Sequence, residues 1–425
     1  MRFDLTDQSP VKKSMAFEVD PEEISQETRA VLHGYAEKAR IPGFRPGKAP
    51  LSMIHARFKK EVADDVRERV MSRCFREAAR ERGLRPLGDP VVDEVHQAEG
   101  EPLRFKVSFE VLPEIEVRSY KGVEVRRPSD RIEEAEVDRA LEELRQSRSR
   151  LVTAEGRGAE TGDVLVSDVK GTPSEGQPFG RERMFVEIGA EANPPAFNEK
   201  LIGARPGDEL DFTVEHPQQN ESPELAGKSV RYEVRVHEVK AREVPQLDDE
   251  FARDLGDFED LAALRARVRQ DLEARKKREA DQRVRQAVLE KVMVDNPTLL
   301  PDALVEDEIR HRLEDIVRRM YVQGIDPEKI ELDWKKLRDQ QEDGARRSVH
   351  ARLILDAVAR AEGLEISADE VQQRIRSDAE AIGEAYETVR KRLEERGGAE
   401  VVRGQILREK TLDLLTTVAN IQNEE

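Results

Sequence analysis

A chain of 425 residues is long enough for several domains, each burying its own core. With 38% charged and only 4% aromatic residues at a net charge of -18, the composition excludes a general nucleic-acid binder, whose surface must be broadly basic, and favours long, solvated helices. The single cysteine, Cys74, excludes an internal disulfide and suits a reducing, cytoplasmic compartment, and no apolar run reaches the length of a signal peptide or a membrane span.

Met15, Phe17 and Val19 alternate with Ala16 and Glu18, which predicts a strand. A helix is expected next, with Asp20 as N-cap, Pro21 in its first position and Glu23 completing a capping box; Ile24, Val31, Leu32 and Tyr35 form its apolar face. From Pro50 the pattern is helical again, with Leu51, Ile54 and Phe58 and then Val62, Val66, Val70 and Cys74 at four-residue spacing, until Gly83 ends the run. Leu103, Phe105, Val107, Phe109 and Val111 alternate with polar residues and predict a half-buried antiparallel strand that stops near Pro113. Residues 1–112 therefore read as an α+β domain.

Residues 113–150 read as a connecting arm with a charged helix carrying Val137, Leu141 and Leu144. Turn signals then crowd the chain, and the strand-like stretches 164–169, 184–188, 210–214 and 230–239 between them predict a compact β-rich domain over 156–243. Residues 244–425 are almost wholly helical in pattern, five or six helices broken at Asn296-Pro297, Pro301, Gly324 with Pro327, Gly363 and Gly397-Gly398. Their apolar positions are sparse, which predicts a long-armed domain with incompletely covered faces. The fold class is α+β and multidomain, with the β-rich domain inserted into helical surroundings. The seven histidines and Cys74 lack metal-ligand spacing and no phosphate-binding loop is present, so neither a metal nor a nucleotide cofactor is expected; Glu133-Glu134 and Glu394-Glu395 read as solvated helix faces.

The segment Ile41-Pro42-Gly43-Phe44-Arg45-Pro46-Gly47-Lys48-Ala49-Pro50 is the sharpest feature of the chain. Its prolines and glycines forbid a helix and impose turns, which present Phe44 between Arg45 and Lys48. Between Glu37 and Glu61 there are seven Lys or Arg and no acid, so this window carries +7 against -25 for the remainder. An aromatic anchor among cations suits a surface of RNA phosphate and acidic protein groups, although a solvated turn between helices would also read this way.

This segment resembles the Gly-Phe-Arg-x-Gly-Lys signature with which trigger factors dock beside the ribosomal exit tunnel, and the order of domains is similar along the whole chain. The resemblance implies that Gly43, Phe44, Arg45, Pro46, Gly47 and Lys48 bind ribosomal protein and RNA. It further implies an N-terminal ribosome-binding domain over 1–112, an arm at 113–150, an FKBP-type peptidyl-prolyl isomerase domain over 156–243 and a helical substrate-cradle domain over 244–425. Its expected partners are the ribosome and nascent unfolded polypeptides, assisted in folding and export without ATP, cofactor or membrane, with a homodimer when free in the cytoplasm. Trp334 then suits a core position or a client contact, and Leu353, Ile354, Leu355 and Val358 suit packing or cradle lining.

Rotation about a prolyl bond needs no nucleophile or metal, only an apolar pocket that favours the twisted, less polar amide. The candidates are Phe179, Phe185, Phe197 and Tyr232, with Ile188 and Phe212 nearby, and core packing of a small β-domain would account for the same aromatics. Against the FKBP-type pattern, Val169 stands at an aromatic pocket position, Gly180 where an acid is common, Asn193-Pro194 replaces an apolar pair, and 218–223 lacks a pocket tyrosine. The expectation is a retained fold with weakened prolyl catalysis. Two other classes remain open: a stand-alone isomerase whose helices recruit substrates, and a non-catalytic protein, either a holding chaperone or an acidic helical scaffold.

Overall fold

The computed structural model describes residues 1–425 except 40–43, 45–48, 99–100, 191–192, 218–225, 331, 396 and 425. In chain order the elements are β1 (Arg2–Asp7), β2 (Lys12–Val19), α1 (Pro21–Lys38), α2 (Leu51–Arg57), α3 (Lys59–Glu81), β3 (Pro86–His96), β4 (Leu103–Val111), β5 (Glu124–Arg127) and α4 (Glu134–Ser147). There follow β6 (Arg150–Thr153), β7 (Val164–Pro173), β8 (Phe179–Glu187), α5 (Pro195–Leu201), β9 (Glu209–Glu215), β10 (Ser229–Glu243) and α6 (Asp249–Leu255). The chain ends with α7 (Leu261–Asp295), α8 (Asp302–Val322), α9 (Trp334–Ala361), α10 (Ala368–Ile382), α11 (Tyr386–Glu395), α12 (Gly398–Val418) and β11 (Asn420–Asn423). The chain is thus mixed helix and strand, and its contacts divide it into two units, Met1–Pro128 with Asp281–Glu425, and Ser129–Ala280.

In the first unit the antiparallel sheet β1-β2-β4-β3 carries the expected alternation. Met15, Phe17 and Val19 of β2 and Phe105, Val107 and Phe109 of β4 are buried on one core with Val31 and Leu32 of α1 and Val62, Val66 and Val70 of α3. Phe17 pairs directly with Phe105, and their rings stack at 4.6 Å. Cys74 fills the same core, where burial pushes its thiol up to about 11, so it serves as a small apolar residue.

Three local expectations are corrected here. Asp20 precedes α1 but makes no side-chain cap; its carboxylate lies 3.7 Å from the ammonium group of Met1, which also pairs with Glu23, the expected partner in the box. The helical run after Pro50 is two helices, separated at Phe58, whose ring packs against Tyr35 at 5.5 Å. Strands β1 and β3 are not among the expected elements; β3 is exposed along nearly its whole length and has no apolar alternation to reveal it.

The helices of this unit pack through narrow stripes. Val305 and Ile309 of α8 meet Ala345, Val349 and Leu353 of α9; Val371 and Ile375 of α10 meet Val389 of α11 and Val402 and Ile406 of α12. A third cluster joins Val284, Val288 and Val292 of α7 to Ile354, Val358 and Leu415, with β5 and β11 paired in parallel beside it. Spacings of four residues give each helix a thin apolar seam, which explains several small cores in place of one. Leu353, Ile354, Leu355 and Val358 are all buried, so they pack. Trp334 is 46% exposed at the start of α9 and is no core residue. Beyond Pro245 the described residues form seven helices where five or six were expected, the additional stops being Gly256 after α6 and Gly383 after α10, the latter at φ +70°.

Asn296 ties this unit together. Its Oδ1 accepts from the Arg118 N–H at 2.7 Å, while its Nδ2 donates to the carbonyls of Arg118 and Val292, both at 2.8 Å. Replacing Asn296 by Ala should cost about 2 kcal/mol, since both backbone groups of Arg118 lose their partner. Asn296→Asp should not restore that stability, because a carboxylate accepts but cannot donate to two carbonyls. Urea unfolding of the three proteins checks this, and equal midpoints would refute it.

The second unit contains the sheet β6-β10-β7-β8, with β9 also paired to β10. Leu165, Val169, Val186, Ile188, Val234 and Val236 face one core, closed by Phe197 and Leu201 of α5. Val137 and Leu141 of α4 form a second cluster with Phe251 of α6 and Leu264 of α7. Both helices are capped at their N-termini: the Glu133 N–H donates to Glu136 at 3.0 Å at the start of α4, and Asp248 accepts from two N–H groups of α6.

Candidate functional site

One row of residues crosses the sheet of the second unit. Phe179 of β8 pairs with Gly171 of β7, Gly171 with Tyr232 of β10, and Tyr232 with Phe212 of β9, so all four share a face. The missing side chain at Gly171 is what allows the row to close: a Cβ there would lie 2.2 Å from Phe179 Cζ, so the Phe179 ring occupies that space and reaches Tyr232 edge-on at 6.2 Å. Phe197 packs over the row from α5, 4.9 Å from Tyr232 and 5.6 Å from Phe212, both edge-to-face. Tyr232 and Phe197 are buried, whereas Phe179 is 41% exposed, so the aromatic floor has one open wall.

His216, directly after β9, is buried and its Nε2 lies 2.9 Å from the Tyr232 hydroxyl. Burial lowers the pKa of the imidazole and raises that of the phenol, so both are neutral at physiological pH. The chemistry on offer is apolar: aromatic edges and faces around a floor with one open wall. Ser167, on the same face of β7, is fully buried, and its Oγ has no hydrogen-bond partner among the described residues.

Of the predicted pocket residues, the structure brings Phe179, Phe197 and Tyr232 together and leaves Phe185 out. Phe185 is 62% exposed and pairs with Val166, on the opposite face of the sheet. The cause is a bulge in β8. Val169 pairs with Arg181 and Ser167 with Met184, so Glu182 and Arg183 together oppose Asp168. The extra residue switches the inward face from odd to even positions, which turns Met184 in and Phe185 out. Arg183 takes φ +50°, and Asp168 accepts from its N–H at 2.9 Å and from His237 Nε2 at 2.8 Å; these contacts hold the Asp168 carboxyl below its ordinary pKa.

The departures from the FKBP-type pattern now have local reasons. A Cβ at Gly180 would stand 3.1 Å from the Val169 carbonyl, so any side chain there needs a small shift of the β7 backbone. Asn193 braces its own loop, its Nδ2 donating to the Glu187 carbonyl at 2.8 Å and to Asn198 Oδ1 at 3.1 Å. The stretch 218–223 lies outside the described residues. On the other face of the sheet, a hollow of about 730 Å³ is lined by Asp168, Lys170, Glu209, Asp211, Glu233 and Arg235, and cross-strand pairs such as Lys170 with Glu233 at 3.5 Å occupy its charges. Gly171, Met184 and His216 escaped the sequence reading; only the lone glycine within a strand pattern carried a signal.

The basic loop joins α1 to α2. Gly43, Arg45, Pro46, Gly47 and Lys48 lie outside the described residues; Phe44 is described and is 40% exposed. Among the described residues no group of His, Cys, Asp and Glu is placed to hold a metal ion, and no helix is long and apolar enough to cross a membrane.

Residues 1–144 match the family model for the bacterial trigger factor protein, and residues 260–417 match that for the trigger factor C-terminus. The chain belongs to the bacterial trigger factor family. It is 33% identical over 405 residues to the trigger factor of Solibacter usitatus (strain Ellin6076), covering 95% of this chain and 96% of the relative. To that of Koribacter versatilis (strain Ellin345) it is 34% identical over 412 residues, covering 96% and 94%. In fold it resembles a trigger factor chaperone solved in a study of promiscuous substrate recognition in folding and assembly, with a TM-score of 0.53 at 20% identity over 98% of this chain and 99% of that one.

Proposed function

We propose that this chain is an ATP-independent chaperone of the cytoplasm that docks at the ribosomal exit tunnel through residues 43–48 and receives nascent unfolded polypeptides. Its domains are then a ribosome-binding domain over 1–112, an arm over 113–150, an FKBP-type domain over 156–243 and a helical cradle over 244–425. The observation that carries this reading is family membership over nearly the whole chain, coupled to an acid-free +7 window in a protein of net charge -18. Client binding is supported by apolar side chains left in solvent around the turn between α8 and α9, where Tyr321, Val322, Ile325, Ile330 and Trp334 are all exposed. Several weak contacts of this kind hold an unfolded segment without a nucleotide to drive its release. Co-sedimentation with ribosomes is the deciding test.

The pocket around Tyr232 supports prolyl cis-trans isomerisation as a second activity of the same molecule. Val169 supplies an aliphatic wall where aromatic surface would grip the prolyl ring, so turnover should fall below that of a full FKBP-type enzyme by roughly tenfold, the cost of one weakened apolar contact. A fluorescence assay on a Xaa-Pro peptide measures this. Equal turnover would refute the weakened site, and none would leave a holding chaperone.

A further inference from the structure

The aromatic site holds one polar couple that prolyl catalysis as described leaves unused. Tyr232 is the hub of the site, with Phe179, Phe197 and Phe212 all packed on its ring. A buried phenol needs a hydrogen-bond partner, and Tyr232 meets His216 Nε2 at 2.9 Å. His216 is carried by the sheet itself, since its backbone N–H donates to the Lys228 carbonyl at 2.9 Å. Apolar packing alone lets a ring slide and tilt in its socket, whereas a hydrogen bond at the ring's far end adds a direction.

Resting on the isomerase reading, the geometry points to His216 as a positioning residue: through the Tyr232 hydroxyl it fixes the angle of the ring against which the substrate's prolyl ring packs. Without that bond the phenol turns toward water and takes the pocket wall with it, and small displacements of a positioning surface cost disproportionate rate. Either substitution removes the same hydrogen bond, so the two residues should be coupled rather than additive.

The test uses the full chain and a protease-free fluorescence assay on a Xaa-Pro peptide, well below each variant's Tm. His216→Phe and Tyr232→Phe should each lower kcat/KM about tenfold, because each removes that hydrogen bond, and the double variant should lose no more than the worse single variant. His216→Gln, which keeps a side-chain donor and acceptor, should retain more activity than His216→Phe. A His216→Phe protein with wild-type kcat/KM, or two losses that simply add, overturns the positioning role and leaves the isomerase intact. If wild type shows no turnover, the isomerase reading fails, and peptide affinity read from Phe197 ring shifts in NMR decides instead: loss in the single variants that does not deepen in the double supports positioning, while unchanged affinity overturns it. Should His216→Phe not fold, His216→Gln and Tyr232→Phe carry the same comparison.

Discussion

Changing Phe44, Arg45 and Pro46 together to alanine should abolish co-sedimentation with ribosomes, weakening binding by about a hundredfold or more while leaving the protein folded. Loss of an aromatic anchor and a neighbouring Arg from the centre of an interface commonly costs about 2 kcal/mol or more each. Phe44 is exposed and takes no part in the buried cluster of the first unit, so its removal should not be felt in the core. Binding by wild type should also fall steeply with salt, as expected for contacts to RNA phosphate, and the triple variant should show a salt slope shallower by about one. A variant that pellets as well as wild type would remove the docking assignment.

The strongly negative total charge is no obstacle to such docking. At physiological ionic strength, charges in solvent are screened beyond about 8 Å, so an approaching phosphate surface senses its immediate neighbourhood rather than the whole protein. The window between Glu37 and Glu61 holds seven cations and no acid, and the acidic majority of the chain acts elsewhere. In the proposed docking, the same imbalance would turn the loop toward a polyanion and keep the acidic remainder from sticking to it, which would confer orientation as well as affinity.

Elements whose faces differ in burial could be read from the sequence. The alternation in β2 and β4 and the four-residue spacing in α3 mark residues that do lie in one core. Edge strand β3 could not be read, since its hydrogen bonds to β4 and not its side chains make it a strand. The site shows the same division. Phe179, Phe197 and Tyr232 were visible as aromatics, but which face each takes depends on register. Phe179 and Phe185 are both odd-numbered residues of β8, and period two alone puts them on one side. The bulge at Glu182 and Arg183 separates them, and nothing in Arg-Glu-Arg announces a residue at φ +50°. His216 was hidden for another reason: its partner lies sixteen residues away on the neighbouring strand, a contact that no local pattern encodes.

Gly171→Ala should impair prolyl isomerisation more than it impairs stability. The added Cβ would meet Phe179 Cζ at 2.2 Å and Cε2 at 2.6 Å, distances no packed structure keeps, so either the β7 backbone or the Phe179 ring has to move. The ring moves more cheaply. Gly171 is held in β7 between β8 and β10, whereas Phe179 is 41% exposed and can swing into solvent. That motion forfeits the edge contact with Tyr232, about 1 kcal/mol, and adds some packing strain, while alanine returns about 0.5 kcal/mol by restricting the unfolded chain. A net loss near 1 kcal/mol should appear as a small drop in calorimetric Tm. Activity should fall by about tenfold, because the open wall of the pocket has gone. The decisive comparison is Gly171→Ala in a Phe179→Ala background, where the clash no longer exists: the glycine change should then cost no stability, and activity should stay low because the ring is absent. Native activity in Gly171→Ala alone would mean that Phe179 is no part of the catalytic wall, and the pocket would shrink to Phe197, Phe212 and Tyr232.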